Sequence, residues 1–273
     1  MPITADFHLH TAHSADSQAP MESMIESAIA KGLTHMCITE HMDPDFPPSQ
    51  DIPNADFWVV NTDAYLYDLI CCREKYASQI SISFGIELGL QPSIAKKLAA
   101  YAKSYDFDFI IGSTHVADDM DPYHCSFFEG RTEEEGYRSY FQTTVDNIKS
   151  FSNFDVYGHL DYVVRYGPNM DRDYSYEKYK DLFDQMLMLL LEKEKGIEIN
   201  TGGLRKGLRE ANPCMDVLKR YRQLGGEIIT VGSDAHKPEQ VAEHFHRAAD
   251  MLLECGFQYY TIYQNRTPEF LRL

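Results

Sequence analysis

Short runs of Ile, Val, Phe and Tyr alternate along this chain with longer stretches in which apolar residues recur every three or four positions. The short runs are bounded by turn residues. They predict strands over Ile3–Leu9, His35–Thr39, Ile80–Ile86, Phe109–Thr114, Asp155–Gly158, Gly196–Asn200 and Glu227–Gly232, with a weaker eighth over Gln258–Tyr263. The longer stretches predict helices. Met21–Lys31 gathers Met24, Ile25, Ala28 and Ile29 on one face and stops at Gly32, which suits the left-handed residue after a helix. Further helices are predicted over Ile94–Lys103, from Thr132 to Ser150, over Tyr176–Lys195, over Cys214–Leu224 and over Pro238–Cys255. Thr132 with Glu135 has the spacing of a capping box, and Asn212-Pro213 reads as the N-cap and first residue of the Cys214–Leu224 helix.

Strand–helix alternation at this spacing implies an α/β fold of parallel strands joined by right-handed crossovers. Seven or eight such units point to a closed barrel close to the (β/α)8 type. An open doubly wound sheet is the alternative, and it would usually show a glycine-rich dinucleotide turn after the first strand, which is missing here. No repeat, low-complexity tract or linker divides the chain, so residues 1–273 read as one domain. The segment Asp43–Asp56 is rich in Pro and Asp and has no periodicity. It reads as a long loop after the second strand, either a lid or a solvated excursion.

The composition of the 273 residues, 44% hydrophobic and 25% charged, is that of a globular protein. Lys and Arg total 25 against 42 Asp and Glu, a net charge of −17, which opposes a general nucleic-acid binder. The N-terminus lacks the basic start and apolar stretch of a signal peptide, and the run Met186–Leu191 is far shorter than the roughly 20 residues that span a bilayer. Six cysteines without a CxxC pair read as reduced thiols, mostly small buried hydrophobes. A cytoplasmic protein with no membrane partner is therefore expected.

The 11 histidines change the picture. His8 and His10 end the first strand, His41 follows the second, Glu87 the third, His115 the fourth and His159 the fifth. Asp234 and His236 follow the seventh, and Asp16 lies in the first loop. Taken singly, a histidine at a strand end is an ordinary hydrogen-bonded residue. Here the same phase recurs in successive units, and in a parallel barrel those strand ends share the rim that carries the active site. Six imidazoles and three carboxylates exceed the needs of one ion, so the set fits two or three divalent metals. Nitrogen and oxygen donors without Cys suit Zn, Mn or Fe.

The ordered motifs HLH, TEH, an isolated Glu, GSTH, GH and SDAH resemble those of the polymerase-and-histidinol-phosphatase (PHP) metal-dependent phosphoesterases. The likeness runs from His8 to His236. It implies a distorted (β/α)7 TIM-like barrel with a trinuclear centre at the C-terminal strand ends. It also implies His8, His10, Glu87 and Asp234 on one ion, and Glu87, His115 and His159 on a second. Asp16, His41 and His236 would hold a third, where some family members have His at the Asp16 position; His13 is the neighbouring alternative. The segments DFHLHTAHSADS, ITEHMD, FGIELGLQP, GHLDYVVRYGP and EINTGGLRKG are most similar to the histidinol-phosphate phosphatase branch. The resemblance thus implies hydrolysis of a small phosphorylated substrate, L-histidinol phosphate, in histidine biosynthesis.

Two arginines on adjacent rim loops, Arg165 and Arg205, suit a bidentate phosphate clamp in this acidic chain; surface ion pairs are the plain alternative, and Arg209 is a lesser candidate. Asp161, two residues beyond His159, is a candidate general acid if its pKa is raised, and structural hydrogen bonding is its other reading. His124, in the loop DPYHCS after the fourth strand, is a minor candidate for a substrate contact, whereas His35, His244 and His246 read as core or surface residues. Three rival functions remain: a phosphatase for another small phosphomonoester, a PHP-type phosphodiesterase or nuclease, and a regulatory domain that has lost ligands. The acidic charge opposes the nuclease, and no ligand is clearly missing.

Overall fold

The computed structural model describes residues 2–48, 54 and 56–273. Seven strands form one parallel sheet in sequence order: β1 (Ala5–Asp6), β2 (His35–Met42), β3 (Ser81–Gly89), β4 (Phe109–Ser113), β5 (Val156–Tyr157), β6 (Gly196–Asn200) and β7 (Ile229–Gly232). The sheet closes on itself. Phe7 N donates to Val231 O at 2.9 Å, Asp234 N to His8 O at 2.8 Å, and Leu9 bridges Ala235 in parallel. The result is a seven-stranded α/β barrel, with β1 and β5 reduced to two residues each.

The eighth expected run is a strand outside the barrel. β8 (Tyr259–Gln264) pairs antiparallel with β9 (Thr267–Arg272), which the sequence pattern did not predict. The reason is the two-residue turn between them. Asn265 and Arg266 both have positive φ, the conformation that reverses a strand into a tight hairpin. The hairpin covers the N-terminal end of the barrel. Arg266 N donates to Asp108 O at 2.9 Å, and Arg266 Nε to Asp155 Oδ2 at 2.5 Å, just ahead of β4 and β5. Tyr263 of the hairpin packs its ring on Phe109 at 5.0 Å, and Phe109 meets Phe7 edge to face at 5.4 Å. Burying each side chain of this size contributes about 1.5–3 kcal/mol.

Helices α1 (Met21–Ala30), α2 (Thr62–Tyr76), α3 (Ala95–Tyr101), α4 (Glu133–Ser150), α5 (Lys180–Glu192), α6 (Gly202–Arg205), α7 (Met215–Gln223) and α8 (Phe245–Glu254) accompany the strands. Thr132 and Glu135 make the expected reciprocal capping box of α4. The expected helices beginning at Ile94, Tyr176 and Pro238 are shorter, because each opens as a 3-10 turn or, before α8, breaks at His244, which has positive φ. Helix α2 was not among the expected elements. It is capped by Asn61 and buries Tyr65, Leu69, Cys72 and Tyr76, and Tyr65 donates its hydroxyl to Ile38 O in β2. Asn212 is not the cap of α7; that place is taken by Cys214, while Asn212 pairs through its backbone with Asn200 at the end of β6.

Residues 49–53 and 55 of the expected Asp43–Asp56 loop, and with them the lid, lie outside the described residues. The flanks return to the barrel: Asp43 N donates to Trp58 O at 3.0 Å, and Phe46 packs on Trp58. All six cysteines are free; Cys37, Cys72 and Cys255 are buried, and Cys71 and Cys125 are exposed. Among the described residues no helix is long and apolar enough to cross a membrane.

Candidate metal centre

The β2 and β3 strands run further than the sequence pattern suggested, so His41 and Glu87 lie inside them and face each other in register. This puts Glu87 at the middle of the C-terminal mouth of the barrel. Its Oε2 is 3.2 Å from His8 Nε2, 3.6 Å from His10 Nε2 and 3.1 Å from His41 Nδ1. Its Oε1 is 3.2 Å from His115 Nε2 and 3.0 Å from His159 Nε2. Asp234 joins from the closing edge, with Oδ1 3.9 Å from His8 Nε2 and 3.7 Å from His10 Nε2. Asp16 lies across from them, 2.9 Å from His236 Nε2 and 3.6 Å from His41 Nε2. The structure thus brings together His8, His10, Asp16, His41, Glu87, His115, His159, Asp234 and His236. His13 is turned away, on Asp68 at 3.0 Å.

The donors fit cations better than they fit one another. His8 Nε2, His10 Nε2, His41 Nδ1 and Glu87 Oε2 are buried, point into the same space and have no hydrogen-bond partner among the described residues. Buried polar atoms left in this way are costly in an ion-free site. Overlapping triplets from this set, such as His8, His10 and Glu87, or Glu87, His115 and His159, bring their ligating atoms within 4.8 Å of one another.

The electrostatics have the same sense. Burial alone would raise the Glu87 carboxyl, but His8, His115 and His41 outweigh it and hold it well below the usual carboxylate range. Asp234 is held low by Arg165, His8 and His236 in the same way, and Asp16 by His41 and His236. Burial opposes charge on the imidazoles, yet Glu198, Glu87 and Asp234 raise His8, and Asp43 and Glu87 push His115 up to about 10. His10 is the exception. Burial and the neighbouring His41 and His236 drive it well below its ordinary value.

A second ring of residues holds the first. His115 Nδ1 bonds Asp43 Oδ1 at 2.6 Å, His8 Nδ1 bonds Glu198 Oε1 at 2.7 Å, and His10 Nδ1 bonds Ser14 Oγ at 3.2 Å. None of these partners was singled out from the sequence. Glu198 had a legible signal: in the buried strand GIEIN, Ile197 and Ile199 face one way, and the two polar residues Glu198 and Asn200 face the other.

Arg165 and Arg205 both line the cavity above the centre. The Arg165 guanidinium is buried and gives Nε–H to Asn212 Oδ1 at 2.8 Å, Nη1–H to Asp234 Oδ2 at 2.7 Å and Nη2–H to Asn200 Oδ1 at 2.7 Å. Arg205 donates to the backbone oxygens of Ser233 and Asp234 and to Glu243. Both arginines therefore brace the Asp234 segment. The structure does not bring Asp161 to this cavity. Its carboxylate is buried beside a separate hollow, where Asn212 Nδ2 donates to it at 2.6 Å, Cys214 N at 2.9 Å and Tyr174 Oη at 2.9 Å. Burial raises the Asp161 carboxyl, but its oxygens are committed to structure, and through Asn212 it orients Arg165. Arg209 is bound to Asp171 and lies outside the cavity, whereas His124 lines it.

The cavity measures about 560 Å³. The donor cluster forms its floor. Arg165, Arg205 and Lys206 make part of its wall, and Phe46, Trp58, Asp121 and Tyr123 contribute aromatic and acidic surface elsewhere. This is room for a small anion with an attached ring, and the site is polar at its base and partly apolar above.

A family model described as the PHP domain matches residues 6–202. The chain is 32% identical over 253 residues to a histidinol-phosphatase of Lactococcus lactis subsp. lactis, across 92% of this chain and 91% of that protein. It is 30% identical over 253 residues to a probable histidinol-phosphatase of Clostridium acetobutylicum, across 93% of this chain and 94% of the relative. The crystal structure of histidinol phosphate phosphatase from Lactococcus lactis, complexed with zinc, L-histidinol and phosphate, superposes with a TM-score of 0.87 at 29% identity, covering 97% of this chain and 98% of that one.

Proposed function

The chain belongs to the PHP domain family, and from that premise we propose that it is a metal-dependent phosphatase that hydrolyses L-histidinol phosphate to L-histidinol and phosphate. The observation that carries this is the convergence of five imidazoles on the buried carboxylate of Glu87, at the floor of a cavity walled in part by cations. His8, His10, Glu87 and Asp234 are the residues to hold one divalent ion; Glu87, His115 and His159 a second; Asp16, His41 and His236 a third. Zn, Mn and Fe all suit these donors. When bound, ions of this kind neutralise phosphoryl oxygens and lower the pKa of a bound water to about 7.

The rest of the chemistry falls to the chain itself. Arg165 has five N–H groups and commits three of them, which leaves one on each terminal nitrogen for a phosphoryl oxygen. Its three fixed bonds hold those remaining donors in place before substrate arrives, so little reorganisation is needed as charge builds on the phosphoryl group. Arg205 and Lys206 extend the positive wall. Phe46, Trp58 and Tyr123 offer surface for the imidazole of the leaving alcohol. Residues 1–273 act as one catalytic domain in this proposal, in the cytoplasm, with no nucleic-acid or membrane partner.

The test is phosphate release by the metal-loaded protein from a panel holding L-histidinol phosphate, other small phosphomonoesters and single-stranded DNA. Preference for L-histidinol phosphate supports the proposal. Faster turnover of another monoester, or of the DNA, replaces it with the corresponding rival.

A further inference from the structure

Six of the seven barrel strands carry or lead into a candidate ion ligand: β1 into His8, β2 through His41, β3 through Glu87, β4 into His115, β5 into His159 and β7 into Asp234. Strand β6 supplies none. It turns Glu198 and Asn200 inward instead, and both grip ligands or their supports. Glu198 is buried, and its Oε1 lies 2.7 Å from His8 Nδ1, although His8 follows β1 while the neighbours of β6 in the barrel are β5 and β7. Its Oε2 accepts from the backbone N–H of His159 at 2.9 Å and from Asn200 Nδ2 at 3.1 Å. No Lys or Arg pairs with this carboxylate among the described residues. A buried anion so placed is unfavourable unless nearby positive charge compensates it.

The surroundings are shaped to leave this side chain its place. Gly232 on β7 lies beside it. A Cβ there would stand 2.2 Å from Glu198 Oε1 and 2.4 Å from His8 Cβ, so any larger residue would part the pair. On the other side, His159, whose backbone N–H donates to the second oxygen of Glu198, has φ of 21°, at the edge of the left-handed region.

We propose that Glu198 is a positioning residue of the metal centre. It takes the Nδ1–H of His8, which fixes the tautomer so that Nε2 faces the ion as a free lone pair, and it pins the backbone from which the His159 ring projects. Carboxylates that hold a ligating imidazole in this way raise its basicity, and their loss typically lowers metal affinity 10–100-fold. The proposal rests on the metal-centre assignment above.

The test uses the full chain with Zn²⁺ as probe and two variants. Glu198→Gln keeps the volume and an acceptor for His159 N–H but removes the anion. Glu198→Asp keeps the anion but draws it back from His8. Zinc affinity is read by competition with a chromophoric chelator, and melting is recorded with and without Zn²⁺. The expected result is a 10–100-fold weaker tightest site in both variants, a smaller zinc-induced rise in Tm, a zinc-free transition that stays cooperative at a Tm lowered by loss of the His8–Glu198 pair, and activity partly restored by excess Zn²⁺. Variants that hold zinc like the parent overturn the proposal while leaving the metal centre standing. Zinc-free variants that no longer fold overturn it too, by making Glu198 a folding residue. A parent chain that binds no zinc removes the metal centre itself, and the proposal with it.

Discussion

His115 Nδ1 lies 2.6 Å from Asp43 Oδ1, and this pair exists because residue 89 of the neighbouring strand is glycine. A Cβ at Gly89 would sit 1.8 Å from the same oxygen. Gly89→Ala is therefore expected to push Asp43 aside, to cost about 1–3 kcal/mol of stability from overpacking, and to weaken metal binding on the order of tenfold or more. Asp43→Asn is expected to reproduce the loss of affinity with less loss of stability. Zinc titrations and thermal melts of the two variants check this; a Gly89→Ala protein with parent-like affinity would show that Asp43 does not hold His115 in its working orientation.

Arg165 bonds Asn200, Asn212 and Asp234 at once, a planar arrangement that an ammonium group does not reproduce. Arg165→Lys is expected to lower kcat/KM for L-histidinol phosphate on the order of 10²–10³-fold. Steady-state kinetics measure it, and a loss of only a few fold would return Arg165 to a structural ion pair.

Asp161 gives a contrasting expectation. Its oxygens are occupied by Asn212, Cys214 and Tyr174, so Asp161→Asn is expected to reduce kcat while leaving the shape of the pH–rate profile unchanged. Disappearance of one limb of that profile would restore Asp161 as a general acid.

Much of the architecture was legible because strand and helix periodicities differ and because the rim donors recur at one phase of the βα unit. What escaped has identifiable causes. Helix α2 buries Tyr65, Leu69, Cys72 and Tyr76, a regular stripe, but Tyr67, Ile70 and Cys71 lie exposed on the other side and blur it. Strand β9 is largely exposed and is stabilised mainly by its hairpin partner. The rim donors could be named singly from their place in each unit, whereas the supports could not. Glu198 meets His8 across 190 positions of chain and Asn212 meets Arg165 across 47, and such contacts are set by barrel closure rather than by local pattern. Asp161 had two readings, a general acid or a structural hydrogen-bonding residue, and the sequence could not choose between them: the 3-10 turn Tyr162–Arg165 starts there, and Asn212, Cys214 and Tyr174, distant in the chain, hold the side chain.

The imidazoles also set a pH dependence. In the metal-free protein His8, His41 and His236 are raised above their ordinary value against the effect of burial, and His115 reaches about 10. Groups raised on folding bind more protons in the native state, so their contribution to stability is complete below about pH 6.5 and is lost as pH rises through the folded pKa. The depressed carboxyls of Glu87, Asp234 and Asp16 act oppositely, and their contribution is lost on acidification below about pH 4. His10 and His159, lowered by burial, act against the raised imidazoles, and their part favours the folded state as pH rises to about 6.5. Above that the metal-free Tm is expected to fall toward about pH 10 as the raised imidazoles lose their protons, while zinc binding at pH 7 releases protons. Melts across pH and calorimetry in buffers of different ionisation enthalpy measure both; a metal-free Tm that climbs from pH 6 to 9 would contradict the assignment.

The central claim, that donors from six barrel strands hold divalent ions which this chain uses to split a phosphate monoester, is tested most directly by measuring phosphate release from L-histidinol phosphate alongside bound metal per chain, for the parent protein and for His159→Ala and Asp234→Asn. The account predicts two or three ions per parent chain, turnover that vanishes on chelation and returns with metal, and variants that lose both metal and activity. Parent-like turnover in a fully chelated chain, or full metal content and rate in either variant, would contradict it.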